Sequence, residues 1–348
     1  MGSASPRFRL IPTRFRGPGL FFGAFLLLLL PATAWSVSCT TESQMTDVQR
    51  GSLAQAARHI AASVQAGNAA AVRDVTIPSI AAQFDGIAST IQTVHPQVEK
   101  AFVTVNALYL LNAADLKAAE DTQFFCGVSG SQLTVAFTIP QLPPGNYGLV
   151  LVHATGVDAP QQLSMVLQST AAPNDPPSAG TWKLAGFFVR PLLSAGQDGL
   201  WYWRQAREYA KKKQNWNAWF YYQTAASLLA PVDFLSSPNL EKLHRESQTL
   251  QPGDLPGEAP MELKASSQTF QITNISTDGS LGGLDLVITY KAGAMADPVA
   301  ARNQVLDVMK TMLAQHPELR QAFHGLWVYA TADTQHPFAL ELPMDRIP

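Results

Sequence analysis

Cysteine is almost missing from this chain of 348 residues. Its two cysteines, Cys39 and Cys126, have no cysteine or histidine near them at ligand spacing, which excludes the zinc-ribbon and zinc-finger arrangements. Histidine is equally uninformative for metals. His59, His95, His153, His244, His316, His324 and His336 include no pair three or four residues apart, so no helical metal pair exists and no metal or cofactor is expected. The chain has no G-x-x-x-x-G-K-[ST] loop, no G-x-S-x-G turn and no G-x-G-x-x-G after a strand. These absences remove the motif-defined nucleotide-binding and serine-hydrolase classes.

Charge is also scarce, at 14% of residues against 47% hydrophobic. That balance fits a chain with many buried strands and argues against long disordered tails. No acidic residue precedes Glu42, whereas Arg7, Arg9, Arg14 and Arg16 form a basic start. The apolar run "GLFFGAFLLLLL" follows, then Pro31 and the small residues "ATA". This is the pattern of an export signal, with cleavage expected after Ala34. The competing reading keeps residues 20–34 as an inner-membrane anchor, but Leu20 to Leu30 is short for a span of about 20 residues. Acylation at Cys39 is disfavoured because Ser36 stands where a lipoprotein signal has leucine.

Loss of residues 1–34 removes four arginines and no acid, leaving 20 basic and 26 acidic residues, a formal charge of −6. A nucleic-acid binder needs the opposite balance or a strong basic stripe, so nucleic acid is not an expected partner. In an exported chain, Cys39 and Cys126 are expected to form a structural disulfide.

Residues 43 to about 95 have helical spacing, with "SLAQAARHIAASVQAG" rich in alanine and Pro78 suited to a first helical turn. From residue 101 the pattern changes to strands: "AFVTVNALYLL", "TQFFCGV", "SQLTVAFTI", "YGLVLVHAT", "QQLSMVLQ" and "TWKLAGFFV". The segments "AASVQAGNAAAVRDVTIPSIAAQFDGI", "YGLVLVHATG" and "TWKLAGFF", within residues 43–190, resemble the NTF2-like (SnoaL-like) superfamily. The resemblance implies a curved antiparallel sheet wrapped around helices, leaving a conical apolar pocket. Members of that superfamily include enzymes, binding modules and assembly domains, so it does not select a function.

Residues 200–229 hold nine aromatic rings and four of the seven tryptophans. On a helical wheel Tyr202, Trp203, Ala206, Tyr209 and Ala210 share one face. Ala218, Trp219, Tyr222, Ala225, Ala226 and Leu229 share another. Their spacing resembles one tetratricopeptide hairpin, which implies that most of these rings are core and that the hairpin needs neighbours to cover it. Trp201 and Phe220 fall on the polar sides. Docking onto an adjoining domain is the preferred reading for both; a partner-binding surface beside Lys211 to Lys213 is the functional one. Beyond the proline- and glycine-rich stretch "QPGDLPGEAP", two strands, a helix from Pro298 to about Ala314 and two closing strands form a small unit. Val305, Val308, Met309, Met312 and Leu313 are expected on one face of its helix.

His153 lies in the run "LVLVHA" on the same side as Leu149 and Leu151. If that side faces a pocket, its imidazole would serve as general acid or base, with Tyr109 and Asp115 as conceivable partners. The plainer reading, a histidine at a strand end bonded to backbone or water, is preferred.

These readings give an α+β protein exported to the periplasm or beyond the cell. Residues 1–34 form a signal peptide and 35–190 an NTF2-like domain. A tetratricopeptide-like hairpin covers 191–250, a linker 251–265 and a ββαββ domain 266–348. The expected role is non-enzymatic binding or assembly, with a protein partner, a second copy of the chain or a small apolar ligand. The alternative is a small-molecule enzyme or carrier using the NTF2-like pocket, with His153 as acid or base. Membrane contact is expected only through the N-terminal segment, if it is uncleaved.

Overall fold

The computed structural model describes residues 37–127, 134–172, 175–266, 268–293, 297–332 and 335–348. The leader expected at residues 1–34 lies outside them. The described chain is α+β, and none of its helices is long and apolar enough to cross a membrane.

Strand β1 (Ser38–Thr41) precedes four helices, α1 (Asp47–Gln65), α2 (Ala69–Asp74), α3 (Pro78–Ala81) and α4 (Asp85–Val98). Thr46 and Gln49 close the start of α1 reciprocally, each side chain accepting from the other's backbone N–H. Leu53, Ala57, Ile60, Ala61 and Val64 then recur at helical spacing and are all buried. The strands follow: β2 (Phe102–Ala113), β3 (Glu120–Gly127), β4 (Thr134–Leu142), β5 (Gly145–Thr155), β6 (Gln161–Ser169) and β7 (Trp182–Pro191). Four of them join β1 in an antiparallel sheet of order β1-β2-β5-β6-β7.

Helices α1 and α4 cover one face of this sheet. Leu53, Ile60, Ile91 and Val94 pack there against Val150, Val152, Leu163, Met165 and Leu167. Leu53 lies so close over Gly148 that any side chain at 148 would collide with it. That side is therefore filled rather than hollow.

The other face is covered by β3 and β4, whose Phe124, Cys126 and Phe137 pack against Leu149, Leu151 and Val166. The Cys39–Cys126 disulfide joins β1 to β3, and hence one sheet to the other, across 87 residues with Cα atoms 5.1 Å apart.

The chain continues through the short pair β8 (Leu193–Ser194) and β9 (Gln197–Asp198) into α5 (Gly199–Lys211) and α6 (Asn215–Leu229). β10 (Leu235–Ser236) then adds to β4, and α7 (Pro238–Gln248) follows. The last unit holds β11 (Met261–Lys264), β12 (Thr269–Asp278), β13 (Asp285–Lys291), α8 (Pro298–Gln315), β14 (Gly325–Ala332) and β15 (Gln335–Pro343). Its sheet runs β11-β12-β13-β14-β15, with β13 and β14 parallel across the α8 crossover. The five residues expected on the core face of α8 are all buried.

Met261–Lys264 corrects the linker boundary: the segment is an edge strand paired with β12, so the irregular stretch ends by Pro260. The hairpin does not stand between two finished cores. Tyr202, Trp216, Phe220, Tyr221 and Tyr222 share one cluster with Leu286, Ile288, Val308, Met312 and Phe323.

Glu246 of α7 fastens this arrangement. Its carboxylate accepts from Arg207 Nε at 2.8 Å, Arg207 Nη2 at 2.7 Å, Trp203 Nε1 at 2.8 Å and Tyr222 Oη at 3.2 Å. Arg207 also lies over the Trp203 ring at 4.5 Å. The Arg207 hydrogen bonds, more than any other partner, pull the Glu246 carboxyl from 4.5 to about 2, against the opposing effect of burial.

Two predictions follow from these ties. The Cys39→Ser/Cys126→Ser double variant is expected to lose about 4 kcal/mol on chain-entropy grounds, read as a fall in the urea midpoint. Glu246→Gln is expected to cost about 2 kcal/mol at neutral pH, a value discounted for the partial exposure of the pair. Because the folded Glu246 carboxyl titrates lower than the unfolded one, its contribution is full above 4.5 and lost as pH falls through about 2. Wild-type and variant stabilities should converge over that window.

Candidate functional site

An apolar cleft of about 600 Å³ opens where β3 and β4 leave the outer face of the five-stranded sheet incompletely covered. Val166, Ala185 and Phe188 form its floor, Ile139 and Leu142 of β4 one wall, and Ile77 and Ile80 around the start of α3 another. Phe234 closes the end and meets Phe188 edge-on at 5.6 Å. Phe188 is 38% exposed, which leaves it accessible to a ligand.

Polar contacts fix the β4 wall, the rear and the Phe234 end of the cleft. Between the register positions Glu120–Leu142 and Thr122–Ile139, β4 carries an extra residue, and Gln141 there has φ +48°. This left-handed conformation costs free energy for a residue with a side chain. Asp121 offsets the cost by accepting from the Gln141 backbone N at 3.0 Å and from its Nε2 at 3.1 Å. The backbone bond, then the side-chain bond, hold the Asp121 carboxyl below its ordinary value.

At the rear, the Tyr147 hydroxyl donates to the Pro143 carbonyl at 2.9 Å and accepts from Gln168 Nε2 at 3.3 Å. Burial pushes Tyr147 up to about 12, so it stays a neutral phenol at physiological pH. The Phe234 segment is tied twice, by Thr138 N donating to Phe234 O at 2.9 Å and by the Arg190–Asp233 ion pair at 2.6 Å.

His153 is on the expected side of β5, with Leu149 and Leu151, but that side faces β3 and β4 rather than the helices. Its Nε2 meets Gln162 Oε1 at 3.2 Å. Gln162 Nε2 donates to Ser164 Oγ at 3.4 Å, and Ser164 Oγ to the Pro231 carbonyl at 3.1 Å. This polar ladder ties β5 and β6 to the end of α6. Tyr109 pairs with Leu149, four residues along β5 from His153 and so about 13 Å away. Asp115 is exposed beyond the end of β2. The three are not brought together.

Trp201 is half-buried, edge-on to Tyr202 at 5.0 Å and tilted over Tyr221 at 6.2 Å. Phe220 is 3% exposed and packs against Trp216 and Phe323. Phe220 and Thr224 are buried on the polar side of the α6 wheel, where Thr224 Oγ1 and Thr277 Oγ1 meet at 2.8 Å, while Gln223 and Ser227 of the same side are exposed. Phe220 offers no free surface to a partner.

Sequence spacing disclosed no metal set. Among the described residues the fold assembles one group of three such side chains, Asp285, His324 and Glu341, with ligand atoms within 4.8 Å of one another.

Comparison of the chain with protein-family models, with curated proteins and with solved structures finds no match. The cleft therefore stands on its own geometry.

Phe220→Ala tests the placement of that ring. Truncation of a core phenylalanine is expected to cost about 3–5 kcal/mol, seen as a lower thermal midpoint. A stability change under about 0.5 kcal/mol, the usual size for a surface substitution, would contradict the burial described here.

Proposed function

We propose that this protein is an exported, non-enzymatic binding module whose ligand is a small apolar molecule held in the Phe188–Phe234 cleft. The cleft itself carries the reading. Its size lies within the range of small-molecule sites, and its lining is apolar except for a few groups that would orient a ligand, Tyr147, Gln168 and Ser79 among them. Export is supported by the basic and apolar start of the chain and by the Cys39–Cys126 disulfide. The NTF2-like resemblance remains part of the proposal in modified form. In place of the helix-covered cone, which is filled, the binding volume lies on the opposite face of the sheet. His153 acts as a structural strut in this proposal, because its ring is engaged by Gln162.

The test is native mass spectrometry and fluorescence displacement with a panel of apolar ligands, using Ala185→Trp to fill the floor and Phe188→Ala to remove the exposed ring. Both variants are expected to lose binding by about tenfold or more, the equivalent of about 1.4 kcal/mol, with little change in thermal midpoint for Phe188→Ala. Ligand binding that both variants retain at full strength would overturn the assignment.

A further inference from the structure

A second site, independent of the cleft, lies in the C-terminal sheet. Three neighbouring strands end together there. Asp285 is the first residue of β13, His324 immediately precedes β14, and Glu341 lies opposite Trp327 near the end of β15. Leu286 and Leu326 point into the core with α8, so strand alternation turns Asp285, Trp327 and Glu341 to the other face. The backbone of His324 is held on both sides, by His324 N donating to Leu284 O at 2.8 Å and Met344 N donating to His324 O at 2.9 Å.

His324 Nδ1 meets Asp285 Oδ1 at 3.0 Å. The remaining carboxylate atoms are not satisfied in the same way. Asp285 is wholly buried, and neither its Oδ2 nor the buried Oε1 of Glu341 has a hydrogen-bond partner. Two buried carboxylate oxygens left without donors are stabilised by a positive charge between them.

The backbone makes room for the convergence. A Cβ at Gly325 would lie 2.7 Å from Glu341 Oε1, 3.0 Å from Asp285 Oδ1 and 2.6 Å from Leu342 O. Any side chain at 325 would occupy the space toward which these oxygens point. The site also has an entry, because the His324 side chain is 43% exposed while Asp285 behind it is not exposed at all.

We propose that Asp285, His324 and Glu341 form a binding site for a divalent transition-metal ion, with one imidazole nitrogen and two carboxylates as ligands. A set that includes imidazole selects the Zn²⁺, Fe²⁺ and Ni²⁺ class over Ca²⁺ and Mg²⁺, which take all-oxygen ligands. Three protein ligands leave further positions for water on the exposed side of His324.

The experiment uses the full chain, stripped with a chelator and titrated with Co²⁺ as a visible-absorbing probe, followed by Zn²⁺ displacement and native mass spectrometry. A single equivalent is expected, giving a ligand-field band that Zn²⁺ abolishes. His324→Ala, Glu341→Gln and Gly325→Ala should each weaken binding by about tenfold or more, as loss of a ligand or of its space requires. His324 is exposed, so its variant keeps the test valid even if Gly325→Ala does not fold. His336→Ala, at an exposed histidine at the opposite end of β15, should bind as wild type does. Absence of a bound equivalent in the wild type would overturn the site. Binding that survives both His324→Ala and Glu341→Gln, or a site that takes Ca²⁺ but not Co²⁺ or Zn²⁺, would do the same.

Discussion

The five-stranded sheet of β1, β2, β5, β6 and β7 carries apolar side chains on both faces, so neither face can be left to water. From Asn146 to Val152 every residue of β5 is buried, whichever side it points to. Helices α1 and α4 cover one face. The other is covered by a smaller sheet, which the disulfide and Phe124 and Phe137 hold in place. Because that second cover is smaller than the sheet beneath it, part of the floor stays open beside it, and the cleft is this uncovered remainder. The position of the candidate ligand site is therefore a consequence of how the sheet is covered.

In the second half of the chain, α6 is buried on two sides. Tyr222 faces Glu246 of α7, while Phe220, Tyr221 and Asn217 face the C-terminal unit. Asn217 Nδ2 reaches the Glu318 carbonyl at 2.8 Å, and the Tyr221 hydroxyl donates to Ala322. Tyrosine suits this position because each ring supplies apolar area and each hydroxyl finds an acceptor, Tyr222 the Glu246 carboxylate and Tyr221 a backbone carbonyl. The dense aromatic stretch at residues 200–229 is thus the interior of a joint.

The secondary structure was largely legible because the periods are clean. Alanine-rich helical spacing before residue 100 and apolar strands after it locate α1 to α4 and β2 to β7, and the apolar face of α8 is buried as its spacing implies. Short edge strands were not legible: "SCTT" and "MELK" are four residues each and gain their structure only from pairing with β2 and β12. The wheel of α6 marks a polar side of which Gln223 and Ser227 do meet solvent, but because the helix is packed on two sides Phe220 and Thr224 on that side are buried. For His153 the side of the strand was right, yet which cover it faces depends on tertiary packing. The cleft and the Asp285, His324 and Glu341 group were beyond sequence spacing altogether. Their residues come from strands and turns brought together by sheet register, without any local motif.

The joint between the hairpin and the C-terminal sheet also determines how the chain can be divided. The irregular stretch from Gln251 to Pro260 looks like a place where a protease or a designed truncation would release two folded pieces. The shared cluster makes it a false boundary. A fragment ending there would present Phe220, Tyr221 and Trp216 to water, while the other would lose the cover of Leu286 and Phe323. From Gly199 onward the chain is expected to fold and unfold as one cooperative unit, and fragments cut at that loop should aggregate rather than persist.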